Sequence, residues 1–314
     1  MILIITFEDN EHVERVRTHL KRDVVCLDMA WFPSRMQADV RLTDDFEGMC
    51  LRLPDGSALM LDQIGAVWRR RIRPMELHPE VQDETSRLFA WSECEEAFQG
   101  MCQSIDCFWM NPIAADEAAQ RKILQLRVAR QVDLSIPETH ITNDPEAARD
   151  FVLRHGPENV IRKAFRNIEQ APRQTSVLTE DDLSVIDSVR FAPVTFQRYV
   201  PADLDLRITV VEDDVFAASI RSPEKYHADY RTGLGEATVE PYDLPAAAQE
   251  NLLQLMRRLD LQYGAIDMRV TPDGEHVFLE VNPAGEYLFI EDRTQQPIAA
   301  AIAASLDRHD QACS

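Results

Sequence analysis

The chain starts with an unbroken apolar run, Ile2-Leu3-Ile4-Ile5 ahead of Thr6 and Phe7, which reads as a buried first strand. A helix over about residues 10–22 follows, then a strand at 24–27 and short alternating strands at about 38–42, 50–53 and 58–61. Ala66-Val67-Trp68 is a further strand, and a long helix covers about 80–104. This βαβ order predicts a largely parallel sheet with a few antiparallel additions. Trp109-Met110-Asn111-Pro112 ends a short strand and opens a second unit. That unit holds helices over about 115–131 and after Asp144-Pro145, and a strand at 159–163. Strands at 194–200, 205–211 and 215–221 come next, the last two joined over Glu212-Asp213-Asp214. A helix at about 245–259 precedes strands at 263–269 and 277–282, with Thr271-Pro272-Asp273-Gly274 between them. Asp-Gly is a strong hairpin signal, because glycine accepts positive φ without penalty.

That final hairpin carries the candidate chemistry. Glu280 and Asn282 are two apart on a strand, so their side chains leave one face, and Asp267 on the partner strand can reach it. Three hard oxygen ligands, two of them anionic, converge among Val277, Phe278, Leu279 and Val281. Such a cluster is costly unless a cation neutralises it. Carboxylate and amide oxygens without His or Cys suit Mg²⁺ held jointly with nucleotide phosphates. The plainer alternative is a solvated hairpin with polar residues on its wet face. Against it stands the exit Asn282-Pro283-Ala284-Gly285, which keeps Asn282 extended before proline. Arg69, Arg70, Arg71 and Arg73 crowd the end of the strand at 66–68. They are either a charge run paired with acids from elsewhere or a patch for an anionic ligand.

Bulk properties narrow the classes. At 314 residues, two or three lobes are expected. No apolar run is long enough to span a membrane, and the N-terminus lacks a basic region before its apolar stretch, so a cytoplasmic protein without a signal peptide is expected. The six cysteines are scattered without a Cys-x-x-Cys pair, which predicts reduced thiols and no catalytic cysteine. The net charge of −21 argues against nucleic-acid binding. It also means that an acidic substrate must find a local basic pocket inside a repelling field.

The hairpin strongly resembles the metal-binding end of the ATP-grasp ligases, an α/β fold. The closest likeness is to the microviridin-type, or graspetide, ligases, which macrocyclise ribosomally made peptides. The resemblance covers most of the chain and implies three parts: an N-terminal, mostly parallel α/β domain at 1–110, a central ATP-grasp subdomain at 111–195, and a C-terminal antiparallel subdomain at 196–314. It implies that ATP and Mg²⁺ are bound, the metal by Asp267, Glu280 and Asn282. Lys122 and Lys163 match the lysines that reach the phosphates. Gln197-Arg198-Tyr199-Val200 matches the hinge whose main chain binds adenine, and Asp203 and Asp205 follow where ribose hydroxyls are held. Arg207, Arg231 and Arg269 are the candidates beside the reacting centre. Arg69 and Arg70, with Asp213 and Asp214 on the acidic hairpin, are the candidates for substrate contact, the hairpin by docking a leader segment.

One departure is plain: residues 164–175, where many relatives carry a glycine-rich flap, contain no glycine. Arg166 or Arg173 is then the expected source of positive charge there. The implied reaction phosphorylates a carboxylate and lets an amine or hydroxyl attack it, in a precursor peptide or, as the alternative, in a small acid and amine. A nucleotide-gated binding protein is the non-enzymatic reading. The resemblance alone implies a homodimer.

Overall fold

The computed structural model describes residues 1–165, 175–202, 204–223 and 233–312. Its N-terminal part follows the expected order: β1 (Ile2–Ile5), α1 (Glu11–Arg17), β2 (Val24–Leu27), β3 (Gln37–Thr43), β4 (Phe46–Arg52), β5 (Ala58–Met60), β6 (Ala66–Arg69), α2 (Glu84–Gln103) and β7 (Phe108–Met110). Strands β2-β1-β6-β7 form one parallel sheet, and β3-β4-β5 form a separate antiparallel one. All four residues of β1 are buried, as a parallel strand covered on both faces requires. Leu3 and Ile5 pack towards α2, through Phe98 and Met101.

The second part runs through α3 (Ile113–Ala119), α4 (Lys122–Gln131), β8 (Thr139–Thr142), α5 (Pro145–His155), β9 (Val160–Lys163), β10 (Ser176–Val177), α6 (Glu180–Ser184) and β11 (Val194–Arg198). The helix expected over 115–131 is broken at Gln120 and Arg121, so Lys122 opens a new helix. Strands β10-β9-β11-β8 form an antiparallel sheet. Its core is small and its own: Ala148, Phe151 and Val152 of α5 lie against Val160, Leu178 and Phe196. The helices α3 and α4 do not join it. Val128 and Ala129 belong instead to the core of the third part. Residues 111–195, expected as one unit, therefore pack on two sheets.

The third part comprises β12 (Leu204–Val211), β13 (Asp214–Arg221), β14 (Thr238–Pro241), α7 (Ala246–Arg258), β15 (Tyr263–Val270), β16 (His276–Asn282), α8 (Leu288–Thr294) and α9 (Ile298–Ala312). The antiparallel sheet order is β14-β13-β12-β15-β16. Leu206, Ile208 and Val210 point to one face with Ile266, Met268 and Phe278, under α4 and α7. The alternate residues point to the other face.

The helix α9 is an element that the pattern reading above did not include. Ile298, Ala299, Ile302, Ala303 and Leu306 recur at helical spacing and are at most 1% exposed. They share one core with Ile2, Ile4 and Trp68 of the parallel sheet and with Ala218 and Ile220 of the antiparallel one. The first and last parts of the chain are thus joined by a common interior. No described helix is long and apolar enough to cross a membrane. Burial pushes the Cys102 thiol up to about 12, so this thiol stays protonated and unreactive.

Candidate active site

Register builds the site on the face of the third sheet opposite its apolar core. Asp267 pairs directly with Glu280 on one side and with Arg207 on the other. One step along, Ala265 pairs with Asn282, and Asp205 pairs with Arg269. A bulge between Asp267 and Met268 lets the pairing restart at Phe278, so Glu280 and Val277 both keep to this face. Side chains directly opposite on antiparallel strands are within bonding reach. Arg207 Nη1 donates to Asp267 Oδ1 at 2.9 Å, and Arg269 Nε donates to Asp205 Oδ1 at 3.0 Å. All four side chains are buried.

Two other elements close over these pairs. Gln125 of α4 reads the edge of β16 as a strand would. Its Nε2 donates to Val281 O at 2.8 Å, and its Oε1 accepts from Val281 N at 3.0 Å. This sets the start of α4 above Glu280, where Lys122 Nζ lies 2.5 Å from Oε2. From the second sheet comes Lys163. Burial lowers its ammonium to about 8, Glu280 and Asp267 oppose that shift, and Arg269 and Lys122 add to it. Those contributions identify Lys163 as a member of the same cluster. Four cations against three carboxylates form a local basic pocket in a chain of net charge −21.

The hinge borders this cluster. Gln197 is buried and donates from Nε2 to Thr139 Oγ1 at 2.9 Å, and its Oε1 has no partner among the described residues. The Arg198 and Tyr199 N–H groups are engaged by Glu138 O and Asn159 O, and Val200 O accepts from Arg269 Nη1 at 2.8 Å. Among the described residues Tyr199 C=O and Val200 N–H have no backbone partner, an adjacent acceptor and donor of the kind that an adenine edge requires. A cavity of about 1130 Å³ runs along the hinge, walled by Tyr199, Val200, Ile136, Leu126 and Val277. Val277 pairs with Arg269 across the sheet, so the cavity adjoins this face at Val277, while Asp267, Glu280 and Lys122 are not among its walls.

The donor set fits a hard divalent cation shared with phosphate. Among the described residues no three His, Cys, Asp or Glu side chains are placed to hold a metal ion by themselves. Two carboxylates and an amide oxygen leave coordination positions that phosphate oxygens can fill. Asn282 Oδ1 also accepts from Ala284 N at 3.0 Å, which shapes the exit loop.

Other expected residues stand elsewhere. Asp203 and Arg231, like Arg166 and Arg173, lie outside the described residues. Arg69 donates to Asp116 at 2.9 Å, Arg71 pairs with Glu286, and Arg73 pairs with Asp28. Arg70 is 1% exposed. Three of the four arginines are therefore paired within the protein, and the fourth, Arg70, is buried. Of the expected substrate contacts, Arg69 is half-buried and held by Asp116, and Arg70 is buried with Nη1 donating to the carbonyls of Ala284 and Gly285. The Arg198 side chain points to solvent, so only its main chain belongs to the hinge. Asp213 lies in the turn after β12 and Asp214 is paired with Val211 at its end, roughly 13 Å along the strand from Arg207. Asp213 pairs there with Arg257 at 3.1 Å.

Two supports were not legible from spacing. Asn111 Oδ1 accepts from the N–H of Gln262 and of Tyr263, and its Nδ2 donates to Tyr263 O and Pro283 O, which fastens the start of β15 to the exit of β16. Gly285 allows that exit to fold back, since a Cβ there would strike Ala265 and stand 2.9 Å from Arg207 Nη2.

Comparison with known proteins agrees with this geometry. Residues 1–117 match the MvdD pre-ATP grasp domain, and residues 119–306 match the RimK-like ATP-grasp domain. The macrocyclase MdnC from Microcystis aeruginosa MRC, solved with its precursor peptide MdnA, is 35% identical. It superposes with a TM-score of 0.88 over 98% of this chain and 99% of its own. A RiPP-associated ATP-grasp ligase from Chryseobacterium gregarium, solved with ADP and a leader and core peptide, is 28% identical, also at 0.88, over 97% of this chain and 96% of its own. A curated relative, the "Probable alpha-L-glutamate ligase" of Shewanella halifaxensis (strain HAW-EB4), is 23% identical over 212 residues, which are 66% of this chain and 45% of that protein.

Proposed function

The chain belongs to the ATP-grasp ligases through its RimK-like domain, and we propose that it crosslinks a ribosomally made precursor peptide, as graspetide ligases do. The observation that carries the ATP-dependent step is the Asp267–Glu280 pair ringed by Lys122, Lys163 and Arg207. The peptide substrate rests on the two peptide-bound relatives, similar over nearly the whole chain.

In this reading a side-chain carboxylate of the peptide takes the terminal phosphoryl group of ATP and ADP leaves. A lysine amine or a Ser or Thr hydroxyl then attacks the acyl carbon, loses its proton, and displaces phosphate to give an amide or ester. Little covalent help is needed from the protein; positioning and charge neutralisation dominate. Mg²⁺, when bound with ATP, supplies charge compensation at the phosphates, and Asp267, Glu280 and Asn282 are the residues that would hold it. Lys122 and Lys163 grip phosphate oxygens, and Arg207 donates to the phosphoryl group in flight. Tyr199 C=O and Val200 N–H frame the base, and Arg269 keeps the hinge on the C-terminal sheet through Val200 O. We assign 1–110 as the pre-ATP-grasp domain, 111–195 as the central part and 196–314 as the part that carries the metal site. We further propose a homodimer, for which Leu88, Phe89 and Trp91, exposed on α2, supply apolar surface.

The test is incubation with ATP, Mg²⁺ and a leader-bearing precursor rich in Thr, Ser, Lys, Asp and Glu. The expected result is loss of one water mass per crosslink with matching ADP. Turnover of free glutamate or another small acid, with the peptide left intact, would favour the small-molecule ligase that the curated relative's name suggests.

A further inference from the structure

Arg70 is a buried cation that no anion meets among the described residues. It is 1% exposed and in no ion pair among the described residues. Its Nε and Nη2 have no hydrogen-bond partner there, while Nη1 donates to Gly285 O at 3.0 Å and to Ala284 O at 3.4 Å. The guanidinium lies 5.5 Å from the ring centre of Tyr287 and 5.9 Å from that of Trp68. Cation–π contacts and two carbonyls offset part of the desolvation cost of such a charge, not all of it. The potential is felt nearby: the His12 imidazole is driven down to about 3, by burial first and by Arg70 next.

What Arg70 touches gives this buried charge a structural task. Gly285 O accepts from Arg70 on one side and from the Tyr263 hydroxyl, at 2.6 Å, on the other. The very next carbonyl, Glu286 O, accepts from Arg207 Nη2 at 3.0 Å, and Arg207 Nη1 holds Asp267. Two arginines, one after β6 and one on β12, thus clamp successive carbonyls of one loop. Gly285 has no side chain to keep that loop off Arg207. A shift of the loop therefore moves Arg207 relative to Asp267. A planar guanidinium reaching from the end of β6 fixes such a loop more rigidly than an ammonium, whose donors rotate on a flexible stem.

We propose that Arg70 is a positioning residue for the transfer reaction, fixing from the N-terminal sheet the 283–286 loop that orients Arg207 against Asp267. The proposal rests on the ligase reading of that site. It gives the N-terminal domain a part in the chemistry without any contact to substrate.

The test uses the full chain with Arg70→Met and, as a variant that keeps charge and a donor, Arg70→Lys. Hydrogen exchange is followed for residues 283–287, and ADP formation is measured with the precursor. In Arg70→Met the loop loses protection while 263–270 keeps it, and kcat falls about 10- to 100-fold with KM for ATP within about twofold. Arg70→Lys recovers part of both. Unchanged loop protection in Arg70→Met overturns the proposal, as does an unchanged kcat or a KM for ATP that rises as far as kcat falls. If the wild type makes no ADP with the peptide, the peptide reading fails. The exchange result then still decides whether Arg70 holds the loop.

Discussion

Two antiparallel sheets meet at the candidate site, and their interiors are unlike. The β12–β16 sheet carries Asp267, Glu280 and Arg207, and its core extends through α9 into the N-terminal parallel sheet. The β8–β11 sheet carries Lys163 and the hinge on a small core of its own around Phe151 and Phe196. The groups that would hold a metal thus sit in the part of the molecule with the larger shared interior. Of the groups that would grip phosphate and base, Lys163 and the hinge sit on the sheet with the smaller core, while Lys122 sits on α4 with the third sheet. Rigid placement suits the atoms where charge develops, and a separable sheet suits nucleotide entry and release.

The sharpest way to break that contrast is at the rigid side. Glu280→Gln keeps the side-chain volume and leaves Lys122 an oxygen to bond, so the fold stays intact. Asp267→Asn leaves Arg207 without its paired charge and lowers stability by about 1–3 kcal/mol. Both lower ADP formation by about a thousandfold or more, because charge compensation at the phosphates is lost. Turnover near wild type at saturating Mg²⁺ in either variant, with circular dichroism unchanged, refutes the metal assignment.

On the side with the smaller core, Phe151→Ala opens a cavity and destabilises that core by about 3–5 kcal/mol. Hydrogen exchange is expected to rise across 139–163 and 176–198 while 204–211 and 263–282 stay protected, and KM for ATP is expected to increase. Loss of protection in both sheets together would mean that they unfold as one unit, and the contrast would fall.

The same contrast governs what could be read before the structure. Period-two alternation with a compact turn exposes β12, β15 and β16 in the sequence, and register then brings Asp267, Glu280 and Asn282 to one face. The signal for α9 was present in Ile298, Ala299, Ile302, Ala303 and Leu306, but alanine-rich spacing beside Pro297 stands out less than a run of large apolar residues. What a buried polar side chain meets is not written in local pattern. Gln125 and Asn111 look like ordinary helix and loop residues until the strand edges they bond are in place. The arginines at 69–73 offered two readings, because their partners Asp116, Glu286 and Asp28 come from distant parts of the chain.

A smaller effect sharpens the contrast at the loop itself. Gly285→Ala puts a Cβ against Ala265 and Arg207 and costs about 1–3 kcal/mol of overpacking. The strain falls on the rigid sheet, so kcat is expected to drop about tenfold while KM for ATP holds. Equal loss in both would place the strain on the hinge as well.

The smallest effect is expected at the far end of β12, where the rigid sheet turns outward. Glu212 there pairs with Arg308 and His309 of α9, so this part of the turn is anchored. Asp213 is exposed and, among the described residues, paired with the exposed Arg257, a contact worth about 0–1 kcal/mol. Asp214 opens β13 exposed, two residues before the half-buried Phe216. An amphipathic leader helix with one or two basic residues fits such a surface, apolar face on the strand and cation beside the acids. Affinity supplied this far from the chemistry lets a flexible peptide dock before its reacting carboxylate is ordered. Reversing both charges, with Asp213→Lys and Asp214→Lys, should therefore raise KM for the leader-bearing precursor by about three- to tenfold, as for the loss of one or two exposed ion pairs. The weak reaction on a leaderless core peptide and the melting temperature should not change. Equal loss on both substrates would move the defect into the rigid sheet itself, and no loss on either would remove this turn from recognition.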